Sequence, residues 1–285
     1  MARWRKLGVI AGGGELPVVL ADHCAALNRD YFIARIAPYA DPALEGHPGV
    51  TLGLGAMGGR MDAMRAAGCD AVVLIGQVPR PDLRTLEFDS AALAMLPALM
   101  AAMPKGDDAL LRAVLNEHER AGFTVVGAEE VMADLLAQPG VWGVHAPTAA
   151  NFADMAKAAK VAAAAGAFDI GQGVIVCDGL VLTVEAQEGT DAMLRRAAEL
   201  PAPIRGSVGA RRGVLLKRPK PIQDLRIDLP TIGVRTIEGA AHAGLAGVAV
   251  AAGGALAVRR DDIVRAADAA GLFVFGFTPA DVGEA

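Results

Sequence analysis

Short apolar segments alternate with segments that have helical spacing of apolar residues along the first half of the chain. The apolar segments are predicted strands at residues 7–11, 31–37, 50–55, 71–76 and 123–127. Predicted helices lie near residues 17–28, 57–67, 90–103, 107–121 and 129–137. Because apolar strands that alternate with helices are typical of parallel sheets, we predict an N-terminal Rossmann-like, doubly wound parallel sheet.

The second half of the chain has a different pattern. Residues 173–186, GVIVCDGLVLTVEA, are two apolar segments joined by Asp178-Gly179, a dipeptide typical of hairpin turns. Further strands are predicted at 214–217, 247–252 and 272–277, with helices near 239–245 and 260–270. A Pro- and Gly-rich segment separates the halves. We therefore predict a two-domain α/β protein, with the Rossmann-like domain over residues 1–140 and a catalytic, mixed α/β domain with hairpins over residues 141–285.

The most charged segment is KRPKPIQDLRIDLPTIGVRT, residues 217–236. As an extended strand it would place Asp224, Arg226 and Asp228 on one face, close to the lysines at its start. At a rise of about 3.3 Å per residue the two aspartates lie about 13 Å apart, too far to share one Mg²⁺ whose ligands lie about 2 Å away. We assign the chemical role to Asp224, which is nearer the lysines. The alternative is a solvated edge strand that uses charge and proline against aggregation.

A second cluster of charge follows the predicted hairpin in the sequence EAQEGTD. Glu185, Glu188 and Asp191 supply the hard oxygen ligands that Mg²⁺ prefers. Gly189 and Thr190 lie at the start of the next predicted helix, where backbone N–H groups and a hydroxyl can bind phosphate. The helix dipole alone accounts for Asp191, accounts partly for Glu188, and hardly accounts for Glu185.

A glycine-rich turn links the first strand to the first helix. Gly12 and Gly13 lie in it, and such a turn at a helix start is a ready anion site. The dinucleotide-binding pattern is incomplete, because Pro17 stands where its third glycine belongs. Arg35 stands where an acidic residue would bind the ribose of NAD, and it suits a 2′-phosphate instead. An NADP-dependent oxidoreductase is therefore one alternative, and a tight turn that packs helix on sheet is the simpler explanation.

Gln77 and Arg80 follow the apolar strand at 71–76 in the segment GQVPRPDL. Ligands of open α/β sheets bind beyond the carboxyl ends of the strands. We therefore expect both side chains to face the ligand crevice.

Composition excludes several classes of protein. The net charge of −5 argues against nucleic-acid binding, and the three separated cysteines form no zinc-binding spacing. The apolar runs end well before the roughly 18 residues of a membrane span. The basic start leads into Gly-Gly-Gly-Glu rather than a longer apolar segment, so we predict a cytoplasmic protein without a signal peptide. His118 is expected to be an exposed helix residue.

Several segments carry a resemblance to a known family. They are AGGGELP (11–17), GQVPRP (76–81), DIGQGVIV (169–176), EAQEGTDAML (185–194) and VLLKRPKPIQDLRIDLPTIG (214–233). The chain resembles the LpxI family of UDP-2,3-diacylglucosamine pyrophosphatases nearly from end to end. It departs from the expected pattern at Val78-Pro79-Arg80, where we expect paired arginines.

The resemblance implies a reaction and a cofactor. The reaction is hydrolysis of UDP-2,3-diacylglucosamine to UMP and 2,3-diacylglucosamine 1-phosphate (lipid X) in lipid A biosynthesis, with water attacking the α-phosphorus. It also implies dependence on Mg²⁺ or another divalent metal, a ligand held between two domains, and Asp224 as the catalytic or metal-binding carboxylate. A module that binds nucleotide or lipid without turnover is the other alternative.

We assign the candidate residues as follows. The catalytic residues are Asp224, Glu185 and Lys217, and the metal ligands are Asp224 and Glu188. The substrate-binding residues are Gly12, Gly13, Gln77, Arg80, Glu188, Gly189, Thr190, Asp191, Lys220 and Arg226. Lys217 and Lys220 would offset phosphate charge. The expected partner is a UDP-linked diacylated sugar, with peripheral contact at the cytoplasmic face of the inner membrane; homo-oligomerisation is left open.

Overall fold

The computed structural model describes residues 4–79, 82–221, 226 and 229–284. The chain contacts divide these residues into two compact units. The first unit runs to Ala133 and also includes Arg226, and the second begins at Asp134. Each unit is built around its own sheet, so the predicted two-domain α/β class is confirmed.

The first unit contains a parallel sheet. Its strands are β1 (Leu7–Ala11), β2 (Tyr31–Ala37), β3 (Gly49–Gly53), β4 (Ala71–Ile75) and β5 (Thr124–Val125). Their order is β3-β2-β1-β4-β5, the arrangement of a Rossmann-like half sheet. β1 is buried along its whole length, which explains why it is apolar at every position except a glycine.

The helices of the first unit connect these strands. They are α1 (Glu15–Ala26), α2 (Met57–Ala66), α3 (Ser90–Ala102), α4 (Asp107–Arg120) and the short α5 (Ala128–Val131). Met61, Met95 and Leu115, from α2, α3 and α4, share one apolar core with strand residues such as Val72. Asp89 fixes the start of α3 by accepting a hydrogen bond from the Ala92 amide at 2.8 Å.

The second unit contains a mixed sheet. The strands of this unit are β6 (Gly140–Trp142), β7 (Gly173–Cys177), β8 (Leu180–Val184), β9 (Val214–Lys217), β10 (Thr231–Ile232), β11 (Gly247–Ala251), β12 (Leu256–Ala257) and β13 (Phe273–Phe277). The larger sheet has the order β6-β13-β11-β9-β7-β8, and β10 pairs separately with β12. β9, β11 and β13 are parallel neighbours, whereas β7 runs antiparallel to both β8 and β9.

The predicted hairpin is confirmed as β7 and β8. Asp178 and Gly179 form its turn and both have positive φ, 49° and 75°, as a tight hairpin turn requires. The buried side chain of Asp154 accepts hydrogen bonds from the amides of both turn residues, at 3.1 and 2.7 Å.

Helices cover both faces of the second sheet. They are α6 (Ala149–Ala167), α7 (Gly189–Ala198), α8 (Val234–His242) and α9 (Arg260–Ala270). In β9, Val214 and Leu216 pack into the core that contains α6. Leu215 packs into the opposite core, with α7, α8 and α9. Because side chains alternate along a strand, Lys217 points to the α7 and α8 face, as Leu215 does.

Several local predictions differ from the structure. Thr148 is the N-cap of α6, whereas the Asn151-capped helix that the sequence predicts would begin three residues later; Asn151 instead completes a capping box from the third helical position. His118 is buried rather than exposed, because α4 packs this edge against the core. In the predicted charged strand, residues 222–225 and 227–228 lie outside the described residues, and Arg226 lies in a turn.

Within the described ranges, every helix is either too short or too polar to cross a bilayer.

Candidate active site

The register of the second sheet sets three residues side by side. Gly173 of β7 pairs with Lys217 of β9. On its other side, the Glu185 amide, just after β8, donates to the Gly173 carbonyl at 2.8 Å. Residues directly opposite each other on neighbouring strands project to the same face. Glu185, Gly173 and Lys217 therefore form a row on the α7 and α8 face of the sheet.

The first turn of α7 adds Thr190 to this row. Lys217 Nζ donates to Thr190 Oγ1 at 2.7 Å, and Thr190 Oγ1 donates to Glu185 Oε1 at 2.6 Å. Lys217 Nζ also lies 4.0 Å from Glu185 Oε1 and donates to the Thr231 carbonyl at 3.3 Å. A hydroxyl can donate and accept at once, so Thr190 bridges the ammonium and the carboxylate. We call these three residues the Glu185–Thr190–Lys217 cluster.

The cluster carries two buried charges. Lys217 is 4% exposed and Glu185 is 6% exposed, whereas Thr190 is half-buried. Buried charges are tolerated when they are paired and hydrogen-bonded, as Lys217 is. Glu185 Oε2, in contrast, is buried without a hydrogen-bond partner among the described residues. Such an unsatisfied oxygen is unusual in a folded protein, which makes Glu185 a candidate functional residue.

The other residues of the predicted loop have different surroundings. Glu188 forms an ion pair with Arg196 at 2.7 Å, and Asp191 forms one with Arg235 at 2.5 Å. Gly189 begins α7 with φ at 76°. Of the three predicted carboxylates, Glu185 is the one that enters the buried cluster.

The start of α7 has no side-chain cap. Glu188 occupies the N-cap position and makes no capping hydrogen bond there. The backbone N–H groups of a first turn need acceptors, and the helix dipole favours an anion beside them. The amide end of α7, next to the Lys217 ammonium, is thus suited to a phosphate oxygen.

The predicted lysine and arginine of the charged segment form ion pairs. Lys220 Nζ lies 2.6 Å from Asp169 Oδ1, and both side chains are largely buried. In the first unit, Arg226 pairs with Glu119 at 2.9 Å. The structure thus anchors both side chains to the protein, and their substrate-binding role stays a prediction.

The glycine turn of the first unit is held by backbone hydrogen bonds. The Gly12 amide donates to the Ile75 carbonyl at 2.9 Å, and Gly13 and Gln77 exchange backbone hydrogen bonds at 2.8 Å. A Cβ at Gly12 would lie 2.7 Å from the Gln77 carbonyl oxygen. The absence of side chains at these glycines therefore lets the turn approach the end of β4. Both of their backbone amides already donate hydrogen bonds within the fold. This supports the tight-turn explanation; anion binding there remains a prediction.

Arg35 is also occupied within the fold. It is 8% exposed, and its guanidinium donates to Thr51 Oγ1 at 3.0 Å and to the carbonyls of Leu44 and His47 at 2.9 and 3.2 Å. These contacts account for an arginine at this position without a 2′-phosphate. The observation that motivated the NADP hypothesis therefore has a structural explanation.

Asp224 and Arg80 lie outside the described residues, so their roles stay predictions. Within the described ranges, three or more His, Cys, Asp or Glu side chains nowhere gather as a metal-binding group. Of the carboxylates considered as ligands, Glu188 is bonded to Arg196. Glu185 Oε2 is a buried oxygen of the type that Mg²⁺ prefers. Glu185 Oε2 is therefore suited to act as one ligand of a divalent metal ion.

Sequence reasoning missed two residues that hold this region. Asp169 fixes Lys220, and the Thr231 carbonyl accepts from Lys217. Both lie in segments that carry the family resemblance, but the sequence alone gives neither of them a role. Both contacts depend on tertiary packing rather than on a local pattern.

Comparison with known proteins gives two family matches. Residues 6–135 match the model of the LpxI N-terminal domain, and residues 138–275 match that of the LpxI C-terminal domain. The chain is also similar to the UDP-2,3-diacylglucosamine pyrophosphatase LpxI of Caulobacter vibrioides. The two are 54% identical over 275 residues, which cover 96% of this chain and 98% of the relative.

Similarity to solved structures is weak. An NAD-dependent epimerase/dehydratase from Methylobacillus flagellatus is 12% identical, with a TM-score of 0.24 over 50% of this chain and 44% of that chain. CobK precorrin-6A reductase is 15% identical, with a TM-score of 0.33 over 96% of this chain and 87% of that chain. At these TM-scores neither structure contributes to the functional argument.

Proposed function

The chain belongs to the LpxI family, and we infer from this membership that it is a hydrolase that cleaves the pyrophosphate bond of UDP-2,3-diacylglucosamine. The products are UMP and 2,3-diacylglucosamine 1-phosphate, and the reaction belongs to lipid A biosynthesis. The observation that carries this conclusion is the 54% identity to the Caulobacter pyrophosphatase over nearly the full length of both chains.

The Glu185–Thr190–Lys217 cluster supplies groups that this reaction needs. When water attacks the α-phosphorus in line with the leaving phosphate, negative charge builds on the phosphoryl oxygens. Fixed positive groups in a site shielded from water stabilise that charge. The Lys217 ammonium is such a group, since it is buried and held by Thr190 and by the Thr231 carbonyl.

Thr190 is the member of the cluster that reaches toward solvent. In our proposal the uncapped amides of α7 bind the phosphate oxygens, and the Thr190 hydroxyl, which donates its proton to Glu185, holds the Lys217 ammonium beside them. Glu185 orients the Lys217 ammonium through the Thr190 hydroxyl that bridges the two side chains. Asp224, in the adjacent charged segment, accepts the proton of the attacking water.

We also propose that the reaction requires Mg²⁺ or another divalent metal. Glu185 Oε2 and Asp224 would hold it, since the Glu188 carboxylate is engaged by Arg196. When bound, the ion would offset charge on the diphosphate. Loss of UMP release on chelation, restored by added Mg²⁺, tests this requirement.

The proposed substrate and one product carry two acyl chains. We therefore propose that the protein works at the cytoplasmic face of the inner membrane through peripheral contact. Co-sedimentation with vesicles that contain the substrate tests this contact, and light scattering tests homo-oligomerisation. A chain that never sediments with such vesicles would contradict the membrane proposal.

The test of the reaction is release of UMP from the diacylated UDP-sugar by purified protein. We expect turnover by the natural chain, and a loss of about 10²–10³-fold in kcat for Lys217→Met and Asp224→Asn. Lys160→Met and Glu238→Gln are matched controls on exposed positions of α6 and α8, and they should retain full activity. Binding of substrate without turnover in the presence of Mg²⁺ would instead favour a binding module.

A further inference from the structure

Gly173 occupies the centre of the row between Glu185 and Lys217. It is fully inside the second sheet, with β8 on one side and β9 on the other. A Cβ at this position would lie 2.6 Å from Glu185 Oε2 and 3.2 Å from Met193 Cε. The first distance is shorter than Cβ atoms tolerate, so the carboxylate occupies space that any other residue would fill.

The backbone of Gly173 gives no other reason for a glycine. Gly173 is part of strand β7, and its φ is not in the positive range that favours glycine. Glycine in a strand interior is unfavourable, because it gains no packing and loses more conformational entropy on folding. A glycine is therefore explained here by the space that the Glu185 carboxylate occupies above the strand, rather than by the backbone conformation of Gly173.

The space left by the absent side chain of Gly173 determines where the Glu185 carboxylate lies. With Oε2 above Gly173, Oε1 reaches the Thr190 hydroxyl at 2.6 Å and lies 4.0 Å from Lys217 Nζ. A second glycine supports the same arrangement, since a Cβ at Gly171 would collide with the Glu185 main-chain carbonyl. A side chain at position 173 would push the carboxylate away from both partners.

We propose that Gly173 is a positioning residue for the hydrolysis, acting by leaving room for the Glu185 carboxylate beside Thr190 and Lys217. The proposal rests on the function proposed for that cluster. Displacement of a catalytic group by about 1 Å can reduce the rate by about 10²-fold. The effect should fall on kcat, since Gly173 itself has no side chain with which to bind substrate.

Gly173→Ala tests the proposal directly. We expect kcat for UMP release to fall by about 10²-fold while KM changes little. Gly53→Ala is the matched control: it also adds a methyl to a strand glycine, but no heavy atom lies within 4 Å of its Cβ. This control should keep the activity of the natural chain.

A double variant separates positioning from misfolding. Shortening the carboxylate with Glu185→Asp reduces the collision, so Gly173→Ala combined with Glu185→Asp should lose less activity than the product of the two single losses. Multiplicative losses, or a Gly173→Ala variant with natural kcat, would overturn the positioning role. A natural chain that releases no UMP would overturn the proposed function itself, so the two failures are distinguishable.

Discussion

Lys217 Nζ lies 4.0 Å from Glu185 Oε1, and the Thr190 hydroxyl bridges the two charged groups. Both charged side chains are almost completely buried. Lys217 lies in β9 and Glu185 directly follows β8, and both strands pair with β7. The register of the sheet therefore sets their contact, rather than proximity in the sequence. We therefore expect the pair to affect both the stability of the second unit and the proposed reaction.

Removing one charge of this pair should destabilise the protein. Lys217→Met leaves Glu185 as an uncompensated buried charge, and we expect a loss of about 3–5 kcal/mol in the free energy of unfolding. The double variant Lys217→Met with Glu185→Gln removes both charges and should regain part of that loss. Urea denaturation of the single and double variants measures both effects, and strictly additive losses would contradict the coupling.

The hairpin of the second unit should depend on Asp154. Asp154→Ala removes the acceptor of the Asp178 and Gly179 amides, and we expect a loss of about 1–3 kcal/mol. Asp62→Ala is the control, because Asp62 forms an exposed ion pair with Arg65 on α2 and should cost at most about 1 kcal/mol. Thermal or urea unfolding compares the two, and equal effects would rule out this role for Asp154.

His118 should make the stability depend on pH. Burial lowers the pKa of this histidine, and the positive charge of Arg60 acts in the same direction. The hydrogen bond from Nδ1 to the Val114 carbonyl and the charge of Glu117 oppose the shift without reversing it. The folded state therefore disfavours protonation of His118 relative to the unfolded chain.

The direction of the change in stability with pH follows from the pKa of about 6.5 that a histidine has in the unfolded chain. As pH falls through this value, the unfolded chain binds a proton more readily than folded His118 does, so the free energy of unfolding decreases. Between pH 7.5 and 5.5, the decrease should be larger for the natural chain than for His118→Gln. His242→Gln, at an exposed position at the end of α8, is the control, and an equal change in His118→Gln and the natural chain would contradict the prediction.

Arg35 should contribute to stability and not to cofactor binding. Arg35→Met removes the donor to the Leu44 and His47 carbonyls, and we expect a loss of about 1.5–3 kcal/mol. Addition of NADPH should leave the melting temperature of the natural chain unchanged. An NADPH-dependent rise that Arg35→Met abolishes would restore the dinucleotide hypothesis.

The sheets could be predicted because their strands are apolar and buried. The limits of β1, β2 and β9 match the predicted segments, and the Asp178-Gly179 turn was recognisable since it requires positive φ at both residues. His118 was misassigned for a physical reason. It lies among charged residues in α4, but its ring packs beside Phe123, which a helical pattern alone does not reveal.

The candidate site was only partly predictable. The sequence placed Glu185, Thr190 and Lys217 near helix and strand ends; the chemistry of Thr190 and Lys217 suggested phosphate binding, and that of Glu185 suggested a metal ligand. Their mutual contact depends on the pairing of β7 with β8 and β9, which joins segments distant in the chain. For the same reason the ion pair of Lys220 with Asp169 could not be foreseen.

The central claim is that water attacks the α-phosphorus of the diacylated UDP-sugar at the Glu185–Thr190–Lys217 cluster. The position of an ¹⁸O label in the products is the most direct test of this claim. Hydrolysis in ¹⁸O-water should place the label in UMP and leave 2,3-diacylglucosamine 1-phosphate unlabelled. Lys217→Met should slow formation of the labelled UMP without moving the label. Label in the sugar phosphate, or undiminished turnover by Lys217→Met, would contradict the account.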